Sequence, residues 1–152
     1  MAVTVERVAS SAEGNVNNPT LSAQVDAAND VLVSVFGYRA NDLADITAVT
    51  RNAQAQTILA SADDADTQGG VNPEHRLEVW MRNNPSTGTA DIVGTNSQFK
   101  VTAMGYLVFA GADTVDPIPA ADVVVAGDFT APSTTISATV PNMASGDLAE
   151  AT

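Results

Sequence analysis

Val31-Leu32-Val33-Ser34-Val35-Phe36 is the stretch on which the fold turns. It is an almost continuous apolar run rich in β-branched residues, preceded by the turn-forming Asp26-Ala27-Ala28-Asn29-Asp30 and followed by Gly37. A run of that kind predicts a central strand buried on both faces. Gly105-Tyr106-Leu107-Val108-Phe109 is a second candidate of the same type.

Outward from these, short β-rich runs alternate with punctuation, and no helical period of any length appears. Val3 to Val8 and Leu21 to Val25 alternate apolar and polar residues. Ile46 to Val49 and Thr57 to Leu59 flank a tight turn at Arg51-Asn52-Ala53, and a long polar loop is expected from Ser61 to Glu74, with His75 beside it. Arg76-Leu77-Glu78-Val79-Trp80-Met81 reads as a half-buried strand, with Leu77, Val79 and Met81 on one face. Asn84 to Gly88 reads as a hairpin loop in which Gly88 supplies a positive φ. Ala90 to Val93, Phe99 to Val101, Val123 to Val125 and Thr135 to Val140 complete the set. About nine or ten strands at hairpin-like spacing indicate a sandwich or barrel. The expectation is an all-β, antiparallel β-sandwich of jelly-roll type, a single domain over 1–152 with an extended N-terminal arm over 1–19 and a C-terminal tail over 141–152.

Composition narrows the function. The chain has 152 residues, enough for one core that buries roughly 70% of the unfolded surface. Hydrophobic residues make up 45% but aromatics only 5%, so the core is expected to be built from small and β-branched side chains. Eighteen acidic residues oppose six basic ones, for a net charge of -12, a field that repels phosphate backbones and argues against nucleic-acid binding. Two readings of that charge stand side by side: solubility, and adaptation to high salt, where counterions screen self-repulsion. The absence of cysteine excludes disulfides and thiolate chemistry. No signal peptide and no membrane-spanning run is visible, so the expected product is soluble and made in the cytoplasm.

Three stretches in register resemble a β-sandwich module of phage tail and virion proteins and of large bacterial surface proteins. They are Ile46 to Ala55, with Ala53 where that module usually has glycine; Leu77 to Met81 with Asn84 to Ala90; and Gly105 to Asp113 ending in Asp116-Pro117-Ile118. The resemblance runs from about Val31 to Ile118, and Ser145 to Leu148 is similar to the start of the module's next strand. Members usually continue further, so the resemblance implies closure with fewer strands, a strand borrowed from a neighbour, or a trimmed copy of a longer product. It also implies a display or adhesion unit without shared catalytic residues.

Candidate chemistry is sparse. Asp63, Asp64 and Asp66 supply hard oxygens of the kind that hold Ca²⁺, although the glycine and distal glutamate of an EF-hand are missing; the plainer reading is a solvated acidic loop. No other cofactor is expected. His75 is the single histidine, with no nucleophile motif to serve. Asp113 and Asp116 read as turn caps before Pro117 rather than a glycosidase pair. Trp80, Tyr38 and Tyr106 read as packing anchors, the alternative being a sugar-stacking platform. The expectation is a non-enzymatic virion structural protein, a capsid decoration (cement) or tail component. It would act as a homo-oligomer, with a trimer favoured, on a major capsid or tail protein. The runner-up is a glycan- or receptor-binding module.

Overall fold

The Val31 run becomes the middle strand of the larger of two sheets. The computed structural model describes residues 4–11, 18–40, 46–64, 74–95, 99–112, 124–127 and 136–139, and its regular structure is entirely β. The strands are β1 (Thr4–Ser11), β2 (Thr20–Val25), β3 (Val31–Ala40), β4 (Ala48–Arg51), β5 (Gln54–Ala55), β6 (Thr57–Asp64), β7 (Glu74–Asn83), β8 (Gly88–Thr95), β9 (Phe99–Ala110), β10 (Val124–Gly127) and β11 (Ile136–Thr139). Nine of them form two antiparallel sheets, ordered β1-β9-β3-β7-β6 and β2-β8-β4-β5, and β10 and β11 pair separately.

The main core lies between the two sheets. Leu32, Phe36 and Tyr38 of β3, Trp80 of β7 and Met104, Tyr106 and Val108 of β9 meet Ala23 and Val25 of β2, Val49 of β4 and Ile92 of β8. Gly94 on β8 lets this layer close: a Cβ there would lie 3.1 Å from both the Phe36 ring and Pro19. The alternate residues of β3 serve a second cluster on the opposite face, where Val31 and Val33 pack with Val79, Leu59, Met81 and Phe109. Two buried faces explain why the run carries almost no polar residue.

The same second cluster corrects the reading of β7. Leu77 and Val79 do share a buried face with Met81, but the opposite face is not solvated, because the second sheet covers it across the main core. Glu78 and Trp80 project between the sheets instead, and Glu78 is 1% exposed.

Local spacing also misled at the corners. β7 and β8 pair in different sheets, so Asn84 to Gly88 is a crossover and not a hairpin loop, although Gly88 does take a positive φ, as does Asn84. The sequence stretches Phe99–Val101 and Gly105–Phe109 are one strand, β9, because a bulge absorbs Thr102: Gly37 pairs with Ala103, and Tyr38 with Val101. Only the β4–β5 turn is the tight hairpin expected. Its two central residues, Asn52 and Ala53, have φ of 48° and 59°, the two positive values a type I′ turn demands.

The arm expected over 1–19 is, from Thr4 to Ser11, an edge strand paired to β9, because its alternation completes the sheet. The tail over 141–152 lies outside the described residues. At this edge Arg7 of β1 donates to Asp26 at 2.7 Å, joining the rim of one sheet to the end of β2 in the other.

Candidate functional site

Three charged side chains are buried among the described residues, Asp30, Glu78 and Arg51, and the last two organise the polar interior. The first is Glu78. Its Oε1 accepts from the Tyr38 hydroxyl at 2.8 Å and its Oε2 from the Trp80 indole N–H at 2.9 Å, so both carboxyl oxygens are engaged. The Tyr38 oxygen in turn accepts from the Ile46 backbone N–H at 3.3 Å, and Arg76 stands 3.9 Å from Oε1. Burial raises the Glu78 carboxyl above its ordinary range, against the pull of the Trp80 and Tyr38 hydrogen bonds and of Arg76. Burial, with the nearby Glu78 charge, also pushes the Tyr38 hydroxyl well above the usual phenol value.

The second is Arg51, 1% exposed at the end of β4. Its guanidinium donates to the carbonyls of Ser86 at 2.6 Å, Ala23 at 3.1 Å and Gly88, and lies 3.3 Å from the Ser86 hydroxyl. Among the described residues no carboxylate pairs with it, and burial lowers its pKa from the ordinary arginine value. Asn52 donates to the Ser86 hydroxyl at 3.1 Å, and Gln54 accepts from the Ser86 N–H at 2.7 Å. The β4–β5 hairpin therefore grips the β7–β8 crossover, and a planar fork suits three carbonyls as a lysine would not. Asp30 braces the adjoining corner: its carboxylate accepts from the Ala27 N–H at 2.9 Å and its carbonyl from the Asn84 N–H at 3.2 Å.

Sequence reading missed both centres. Arg51 passed for turn chemistry and Glu78 for the wet side of a strand. The available signal was parity: Glu78 shares its face with Trp80, a residue that seeks the core.

Trp80, Tyr38 and Tyr106 are all buried in the main core, as the packing reading expected, and they form no surface platform. Asp63 and Asp64 are not in the loop expected from Ser61: β6 continues through Asp64, and these two positions pair with Arg76 and His75. Asp66, the third member of the calcium set, lies outside the described residues, as do Asp113 and Asp116. His75 is the second residue of β7, within the ladder rather than in the loop before it. Among the described residues no group of three or more histidine, aspartate or glutamate side chains converges as metal ligands do. No helix is long and apolar enough to cross a membrane among them.

The ladder does create one charged row that the linear sequence hides. Lys100 on β9 pairs with Arg39 on β3, Arg39 pairs with His75 on β7, and His75 pairs with Asp64 on β6. By backbone register these four positions stand in one cross-strand line.

Fold and polar interior together define a two-sheet antiparallel β-sandwich braced by an inward-facing carboxyl and an inward-facing guanidinium. Comparison with protein-family models, with curated proteins and with solved structures finds no match.

Proposed function

We propose that this chain is a non-enzymatic virion structural protein, a capsid decoration (cement) protein or tail component, that works as a homo-oligomer by packing against a major capsid or tail protein. The observation that carries the reading is where the three module-like stretches meet. Arg51, Asn52 and Gln54 of the first clamp Ser86 and Gly88 of the second, and Tyr106 and Val108 of the third pack in the core with Trp80. The stretches that resemble that module are thus the ones that brace this sandwich, which is what a unit acting through its surface requires. The strand order supports the jelly-roll form of the sandwich, since β1-β9-β3-β7 and β2-β8-β4-β5 interleave strands that cross repeatedly between sheets.

The test is the mass of the purified protein by light scattering, with and without EDTA, followed by co-sedimentation with virus particles stripped of their decoration. A closed oligomer that sediments with the particles supports the reading, and loss of assembly in EDTA implicates a divalent cation, for which Asp63, Asp64 and Asp66 are the candidate ligands to substitute next. A monomer that ignores the particles but is retained on a glycan array overturns it in favour of a binding module.

A further inference from the structure

One end of the interior holds polar atoms with no partner in the chain. Ser34 Oγ, Arg51 Nε, Arg82 Nε and both ends of the Gln56 amide are buried without a hydrogen bond. Ser34, Arg51 and Gln56 are 0%, 1% and 6% exposed, so bulk solvent does not satisfy them. The fold gathers these groups. Ser34 on β3 is directly opposed by Tyr106 on β9 and by Trp80 on β7. Arg82 follows Trp80 on the same face of β7, and its Nη1 donates to the Ala55 carbonyl at 3.3 Å, next to Gln56. The Gln56 N–H donates to the Val49 carbonyl at 2.8 Å, on the strand that ends at Arg51. The Arg51 guanidinium lies within electrostatic reach of the Tyr106 hydroxyl, which brings the circuit back to Ser34.

The chemistry of the set selects the ligand. Buried polar groups left unpaired are costly, and native interiors satisfy them with protein atoms, water or ions. A guanidinium can only donate, a hydroxyl can rotate its hydrogen inward and an amide can turn its NH2 inward, so all four side chains can donate. Two of them carry positive charge, and among the described residues no carboxylate pairs with either. Water would have to donate in its turn, and neither guanidinium can accept. An anion needs only donors, and it also offsets the buried charge. The neighbours Val49, Trp80 and Tyr106 belong to the closed main core, which suits a monatomic ion and not a phosphate. We propose that this end of the interior binds one small monovalent anion, chloride in saline, held by the Nε–H groups of Arg51 and Arg82, the Gln56 amide and the Ser34 hydroxyl. The site does not depend on the virion reading. It gives the net charge of -12 a counterpart, since cations screen the surface while an anion offsets the charge inside.

The experiment follows the melting midpoint of the full chain by far-UV circular dichroism at fixed ionic strength, with sodium gluconate replaced stepwise by sodium chloride or sodium bromide. Gluconate is too large for the site. A ligand that binds only the folded chain raises the midpoint as its concentration passes Kd, and a rise of roughly 3 °C or more is expected by about 0.5 M chloride. Ser34→Ala removes one donor and should weaken the apparent chloride affinity by about threefold or more, and Gln56→Leu should abolish the response. Each substitution also removes a buried unpaired group, so both variants are expected to fold in gluconate. Crystals of the parent grown in sodium bromide should show an anomalous peak within hydrogen-bond distance of Ser34 Oγ and the Gln56 amide. A midpoint that is the same in gluconate and chloride, or a chloride response that both variants keep, means that water alone serves these groups and overturns the proposal. A bromide crystal with no peak at the site overturns it as well.

Discussion

The Tyr38 hydroxyl donates to the Glu78 carboxylate across 2.8 Å, forty positions away in sequence, from a neighbouring strand of the same sheet and inside the main core. The two residues are not a directly opposed pair, since Tyr38 faces Arg76 and Glu78 faces Phe36 in the ladder. The bond runs diagonally, and it makes one unit of β3, β7 and the Ile46 segment.

Removing the hydroxyl with Tyr38→Phe leaves Glu78 Oε1 and the Ile46 N–H without this partner in a dry site. The expected loss is about 2 kcal/mol of unfolding free energy, read from urea denaturation followed by the single tryptophan. Trp80 is itself buried, so its emission should shift to the red on unfolding.

The buried Glu78 carboxyl sets a pH dependence. Its folded-state pKa is raised, so the folded chain holds the proton more tightly than the unfolded chain does. Its contribution to stability is therefore fully present below the unfolded carboxylate pKa and is lost as pH rises through the folded value. Glu78→Gln should be least stable relative to the parent in acid, the gap narrowing as pH rises across that window. Melting curves of both proteins between pH 4 and 8 check the direction.

Arg51→Met should cost about 3 kcal/mol, because three carbonyls lose a charged donor and the β7–β8 crossover loses its grip on the β4–β5 hairpin. Arg51→Lys should recover only part of this, since a single ammonium cannot reproduce the fork. Chemical denaturation separates the two outcomes.

Ala53→Gly should stabilise the fold by about 1 kcal/mol, raising the melting midpoint by roughly 2–4 °C. Ala53 sits at φ 59°, where a Cβ is strained and glycine is not. The greater backbone freedom of glycine in the unfolded chain works against the gain, so a change near zero would mean that the turn relaxes around alanine.

The net charge of -12 yields a further expectation. If the acidity is an adaptation to salt, the melting temperature should fall on dialysis from molar to millimolar NaCl. An unchanged melting temperature would leave solubility as the reason for the charge.

The sequence by itself determined the class of fold, the place of nearly every strand, and the central position of β3, because these depend on local periodicity and on how much apolar surface a run must hide. It also marked Gly88 and the Asn52-Ala53 turn, where backbone geometry is dictated within a few residues. Only the tertiary structure decided which strands pair, which loops are crossovers and that β7 is covered on both faces. Those depend on contacts tens of residues apart, such as Arg51 with Gly88 or Tyr38 with Glu78. Hence the burial of Arg51 was invisible in one dimension, and that of Glu78 was signalled only by its parity with Trp80. A carboxyl and a guanidinium read as solvent-facing until the partners that make their burial tolerable are in place. The row from Lys100 to Asp64 is hidden for the same reason, since cross-strand register, not chain order, makes neighbours of residues on four strands.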